Sequence, residues 1–164
     1  MRTSLVLAAM LATAFILTGC AGSKVGVLNS ARIYQESEAG KAGLAYLEQV
    51  EQDVKAKAET AQRIAESMPD NDALPLSLQK FFASCQEAMN NAQQQAVNAV
   101  QELVAKSITN FREQNCLTVI MQNDAVLSAD PNADVTDGVI AEMNKSAVVF
   151  EPVEVPDFVP PTTK

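Results

Sequence analysis

Two long proline-free stretches, Ser37–Met68 and Leu76 to about Asn115, flank the break Pro69-Asp70-Asn71-Asp72-Ala73-Leu74-Pro75. No other feature restricts the fold of this chain as much. In the first stretch Leu44, Leu47, Val54, Ala58, Ala61, Ala65 and Met68 recur at spacings of three, four and seven, the period of an amphipathic helix. The pairs Glu51–Lys55, Asp53–Lys57 and Glu59–Arg63 put the acid four residues ahead of the base, the orientation that supports a helix. In the second stretch Phe82, Cys85, Met89, Ala92, Ala96, Ala99 or Val100, Leu103 and Ile108 trace one face. A helix of that length runs to roughly 60 Å. Two prolines around Asp and Asn make a turn between them. The pair should therefore fold back antiparallel, with an alanine-rich seam that lets the helices approach closely in a slim coiled-coil arm.

The flanking segments read as sheet. Lys24–Asn29 and Leu117–Met121 are short, β-branched and bounded by polar residues, and Ala125-Val126-Leu127 follows the second. Asp134 is placed to cap a final short helix that would bury Val139, Ile140 and Met143, with Asp137 in its first turn. From Glu151 to Lys164 the four prolines Pro152, Pro156, Pro160 and Pro161 predict an extended, solvated tail. Three short strands and one helix bury too little area to stand alone. Aromatic residues make up only 5% of the chain and tryptophan is absent, which suits thin helical architecture better than a globular core. The body should need partner subunits.

At the N-terminus, Arg2 precedes an uncharged apolar run, Leu5–Leu17. That is the pattern of an export signal, and it is shorter than the roughly 20 residues of a spanning helix. The run ends in Leu17-Thr18-Gly19-Cys20, which resembles the lipobox of bacterial lipoproteins. The expectation is a cleaved signal over residues 1–19 and a lipid-bearing Cys20 at the mature N-terminus. Two or three acyl chains would hold the protein to a membrane. Ala21 stands where an Asp would resemble an inner-membrane retention signal, which favours the outer membrane.

Charge and composition exclude several functions. The chain carries a net charge of −8, and removal of Arg2 with the signal makes it one unit more negative, so the basic footprint of a nucleic-acid-binding protein is missing. Histidine is absent, which removes the usual general base and the commonest metal ligand. Asp130, Asp134 and Asp137 lack the Gly and terminal Glu of a calcium loop. No catalytic residue, metal or cofactor is expected. Cys85 and Cys116, if on one helix, lie some 46 Å apart at about 1.5 Å per residue, too far for a disulfide between them. They read as small apolar residues, or as bridges between subunits.

The blocks around the arm resemble the Skp/OmpH family of periplasmic chaperones. At the N-terminal side these are Val25-Gly-Val-Leu-Asn29, Arg32-Ile33-Tyr34, Ser37 and Gly40-Lys41. At the C-terminal side they are Val119-Ile120, Ala125-Val126-Leu127 and Asp134-Val135-Thr136 with Val139. The resemblance implies a mainly helical homotrimer in which three hairpin arms project from a small β-barrel shared between subunits. It also implies an ATP-independent holdase whose arms enclose a cavity for unfolded outer-membrane or envelope proteins. Val25, Val27, Val119, Ile120, Val126 and Val139 would then build the trimer body, and Met68, Phe81, Phe82 and Met89 would be the apolar contacts for clients.

On this reading the chain divides into the signal 1–19, a lipidated N-terminus with the first body strand 20–36, the arm 37–116, body strands and a short helix 117–148, and an acidic Pro-rich tail 149–164. Two features depart from the family pattern. The enterobacterial type is strongly basic along its arms, whereas here Lys41, Lys55, Lys57 and Arg63 face Glu38, Glu48, Glu51, Asp53, Glu59 and Glu66, so long-range attraction of anionic clients is lost. The family type is also soluble. The competing expectation is a structural or adaptor lipoprotein whose arms bind one defined partner.

Overall fold

The computed structural model describes residues 24–162. The expected signal and Cys20 lie outside that range. The elements run β1 (Val25–Leu28), α1 (Ser30–Glu36), α2 (Glu38–Glu66), α3 (Leu74–Gln114), β2 (Val119–Gln122) and α4 (Thr136–Met143), with single 3-10 turns at Asn123–Ala125 and Pro131–Ala133. The mainly helical fold with a long hairpin and a small strand element is as expected. Helix α1 is an addition: it lies within residues 20–36, where the sequence predicts the first body strand but no helix.

Its ends explain it. The Asn29 side chain accepts from Arg32 N at 3.2 Å and caps α1, and the Ser37 side chain accepts from Gly40 N at 3.0 Å and caps α2. One extended residue, Ser37, separates the two helices and is wholly buried. The corner is so tight that a Cβ on residue 40 would lie 1.9 Å from the Tyr34 carbonyl oxygen. Glycine at position 40 is therefore a packing requirement.

Helices α2 and α3 form the antiparallel hairpin. Gly43 faces Val100 near the base, while Ala61, Phe81, Cys85, Ala88 and Ala92 are buried together further out. Alanines do line the seam: Ala61 and Ala92 are fully buried, and Ala88 and Ala96 nearly so. Leu44 and Phe82, expected in the seam, are instead 63% and 51% exposed. The break between the helices is shorter than expected, because Pro75 falls inside the first turn of α3, where the missing N–H has no partner to lose. Helix α3 ends in a Schellman turn: Leu117 N donates to Arg112 O at 2.9 Å and Cys116 N to Glu113 O at 3.3 Å. Cys116 takes the left-handed position at φ 52°, where glycine is usual. Cys116 is also engaged in a disulfide and Cys85 is a free, buried thiol, so the two are not joined and only Cys85 is a packed apolar residue.

In the body β1 and β2 pair in parallel, Val25 beside Val119 and Val27 beside Met121. The third strand expected at residues 125–127 does not form. That segment is a 3-10 turn and coil, and Leu127 is fully exposed. Residue 134 instead makes an isolated parallel bridge to Val27, and Val135 N donates to Val27 O at 2.9 Å. Leu28, Ile33, Ala39, Val139 and Met143 form the body core, packed against Ile108, Phe111 and Ile120 among others. Thr136 ties the layers together: its hydroxyl accepts from Asn29 N at 2.9 Å, and its N–H donates to Asp134 at 2.8 Å. That last bond is the capping role expected of Asp134, placed one residue earlier than the formal cap.

The tail departs most from expectation. It is extended, but it lies along the hairpin rather than in solvent. Val155 and Phe158 are 6% and 8% exposed and belong to the same core as Val50, Ala61 and Phe81. Four prolines remove backbone donors but not apolar side chains, and burial of each Val or Phe contributes about 1.5–3 kcal/mol.

Candidate functional site

Two surfaces on the arm could meet another molecule. The first is the strip under the tail. Starting near the body, the Tyr46 ring stacks on Phe150 with centroids 4.9 Å apart, and its hydroxyl donates to Glu151 O at 3.0 Å. Further out, Lys57 Nζ donates to Val155 O and pairs with Asp157 at 3.1 Å. Near the tip, Phe158 meets Phe81 edge-on at 5.6 Å. At the turn itself Asn71 Nδ2 donates to Pro161 O at 3.3 Å. Burial under this cover pushes the Tyr46 phenol and the Cys85 thiol above their ordinary pKa values. Cys85 is thereby kept as a neutral thiol, a poor nucleophile.

The second surface lies at the base of the arm. A groove of about 600 Å³ runs between α1, α2 and α3, lined by Tyr34, Leu44, Leu47, Ala96, Val97 and Val100 among others. Tyr34 is 41% exposed and Val97 47%, and both are open to a partner. A smaller hollow of about 310 Å³, lined by Leu28, Ile33, Tyr34, Ile108, Ile120 and Met121 among others, shares Tyr34 with it and reaches the edge of β2.

The residues expected to touch clients separate under this geometry. Phe82 is exposed on the arm, and Met68 is half-buried at its tip. Phe81 is buried against Phe158, and Met89 packs against the same core. The residues expected in the trimer body also divide. Val25 and Val119 are 47% and 40% exposed, Val27, Ile120 and Val126 are half-buried, and Val139 is wholly buried within one chain. Val139 therefore has no surface to offer another subunit. Tyr34, Leu44 and Val97 were missed. Leu44 fits the apolar period of the seam and Val97 adjoins the buried Ala96, so neither stood out; the groove they share with Tyr34 exists only where α1, α2 and α3 meet.

An ion cluster fastens α1 to α4. Arg32 Nη2 lies 2.8 Å from Glu36 and 2.7 Å from Asp137. Its hydrogen bonds raise the Arg32 pKa, and Arg32 holds the Glu36 carboxyl below its usual range. All three groups are solvated, so the cluster is a surface clasp. Among the described residues no group of three or more His, Cys, Asp and Glu side chains is placed to hold a metal ion. No described helix is long and apolar enough to cross a membrane.

No curated protein sequence matches the chain. Residues 73–143, which comprise α3 and most of the body that follows it, match the family described as outer membrane protein (OmpH-like). A solved chain from Caulobacter crescentus CB15, assigned by inference as an outer membrane chaperone (OmpH-like), superposes with a TM-score of 0.60 at 22% identity. The superposition covers 85% of this chain and 95% of that one. The second arm helix and the body thus match the OmpH-like family, and most of the chain shares the fold of the Caulobacter protein, in line with the resemblance to the Skp/OmpH family.

Proposed function

We propose that the protein is a lipid-anchored periplasmic holdase that keeps unfolded outer-membrane or envelope proteins from aggregating, without ATP and without a cofactor. The observation that carries this reading is an OmpH-like fold whose body leaves the side chains of its sheet unfinished. Val25, Val119 and Met121 project from a two-stranded parallel sheet at 39–47% exposure. Sheets of two strands are marginal in isolation. Completion of this one by two further copies would gather three arms around a common space, in the homotrimeric arrangement the resemblance implies. Phe82, Leu44 and Val97 supply exposed apolar contact on those arms. Scattered contacts of this kind suit holding without tight binding, because an unfolded barrel protein must be shielded and then released. The reaction needs no catalytic group, and the protein is not an enzyme on this reading.

The competing adaptor reading draws support from the seated tail, which shows that the arm face can hold one defined segment. Promiscuity separates the two. The mature protein should suppress aggregation of several unrelated unfolded barrel proteins on dilution from urea, with sedimentation giving the mass of a trimer. Suppression of none, or a monomer at all concentrations, sinks the holdase reading. The mass of membrane-extracted protein tests the anchor, with loss of residues 1–19 and gain of a diacylglyceryl thioether expected.

A further inference from the structure

We propose that the strip of hairpin beneath residues 148–161 is a receptor for extended apolar segments of unfolded proteins. The tail is its resident occupant, displaced when such a segment arrives. The proposal rests on the holdase reading for the identity of the incoming segment. The nature of the tail's contacts carries it. Tyr46, Lys57 and Asn71 each donate to a backbone carbonyl of the tail, those of Glu151, Val155 and Pro161. Every residue of any protein brings a carbonyl, so donors of this kind recognise an extended chain and not a sequence. Between those anchor points the groove takes apolar side chains, Phe150 on Tyr46 and Val155 and Phe158 in the arm core. An unfolded barrel strand offers apolar residues at every second position, the spacing of Val153 and Val155 on the arm core.

The dimensions agree. From residue 151 to residue 161 an extended chain at about 3.1 Å per residue spans about 31 Å. On the arm, the helix from Tyr46 to its end at Glu66 runs about 30 Å at about 1.5 Å per residue, and the turn that carries Asn71 follows it. The Lys57–Asp157 ion pair reads a polar side chain of the tail, but the Asp157 carboxylate is largely exposed, so it is worth little in water. The four prolines suit a resident occupant: they hold the tail extended and deny it the N–H groups with which it could join a sheet. Displacement removes a tether-borne competitor, as in any equilibrium where the binding-competent form is a minor fraction.

Two changes to the full mature chain test this. Val155→Asp with Phe158→Asp loosens the tail while leaving the arm sequence intact. Its affinity for urea-unfolded porin, read by fluorescence anisotropy, should rise at least about tenfold. A fluorescein-labelled peptide of residues 148–161 should bind this variant and be competed off by the porin. In the wild-type protein, carbodiimide condensation of the Lys57 ammonium with the Asp157 carboxylate, with loss of water, locks the tail in place. Porin binding should then fall at least about tenfold, whereas Asp157→Asn, whose tail offers no carboxylate for the condensation and whose receptor strip is unchanged, should keep its binding after the same treatment. The proposal is overturned if the locked protein binds porin as before, or if the folded loosened variant binds it no better than wild type. Failure of the labelled peptide to bind that variant overturns it as well. Should the loosened variant not fold, the locked protein alone decides. If the peptide binds but no form of the protein binds porin, the holdase reading fails and the tail's receptor strip stands as an intramolecular site.

Discussion

The arm and the body solve the same problem in opposite ways. The arm closes its core within one chain: alanines let α2 and α3 approach, and the tail covers the strip that two helices alone leave open. The body keeps Leu28, Ile33, Val139 and Met143 inside but presents Val25, Val119 and Met121 at its sheet. A two-helix hairpin lacking a third layer can recruit an extended segment of its own, because such a segment needs only side-chain contacts and carbonyl acceptors. A two-stranded sheet must find another sheet. On the proposed trimeric reading, exposure in the body points outward to other copies, whereas burial in the arm points inward to the tail.

The largest break of this contrast is expected from Val139→Asp. It places a charge in the closed part of the body, where the side chain is wholly buried, and should cost more than about 3 kcal/mol and abolish the cooperative urea transition followed by circular dichroism. Next comes Phe158→Ala, with an expected loss of about 2–3 kcal/mol in the same measurement. That lies at or below the low end for a buried Phe→Ala, since the strip reopens to water and leaves no sealed cavity. Val119→Asp should sharpen the comparison from the other side. At 40% exposure it should change the stability of the single chain by only about 0.5 kcal/mol, yet it should dissociate the proposed trimer in sedimentation, because a charge in the shared sheet would be buried unpaired. A Val119→Asp variant that stays fully assembled places the subunit contact elsewhere.

The smallest effect is electrostatic. Asp134 accepts from Thr136, whose hydroxyl first and backbone N–H second hold its carboxyl below the ordinary range. A carboxyl depressed in the folded state stabilises the fold above the unfolded carboxylate range, about pH 4, and that contribution is lost as pH falls through the lower folded value. Asp134→Asn should accordingly lower stability near neutral pH by less than about 1 kcal/mol, given the exposure of the group. The difference from wild type should shrink in thermal melts taken well below pH 4. A constant difference at all pH values would show that the Asp134 charge contributes nothing.

The hairpin was legible in the sequence because its signal is long: two helical periods and a proline-bounded turn leave few alternatives. The choice between Phe81 and Phe82 was not legible. Adjacent helical residues point about 100° apart, both are aromatic, and the apolar face drifts along a helix of 41 residues. In the structure Phe81 lies on the buried face with Cys85, Ala88 and Ala92 and meets Phe158, which settles the choice. Helix α1 escaped notice because seven residues carry hardly two turns of periodicity. What defines it are the caps at Asn29 and Ser37, together with the close approach at Gly40. For the tail, the prolines correctly indicated extension. Phe150, Val153, Val155 and Phe158 are spaced at three, two and three, which fits neither a strand nor a helix, so the sequence offered no reason to expect them buried on the arm. At the candidate site, Phe82 was identified from its bulk, whereas the groove formed by Tyr34, Leu44 and Val97 needs the kink between α1 and α2 before it exists.

The parallel pairing of Val25 with Val119 has a kinetic consequence. Those two residues bracket the entire hairpin, so the unfolded chain must close a very long loop before the first strand contact forms, and no short turn can guide it. Zipping α2 onto α3 draws the two ends together through contacts that are local by comparison. The stalk is in this sense the body's assembly jig: a substitution at its alanine seam, such as Ala92, should retard refolding of a sheet it never touches.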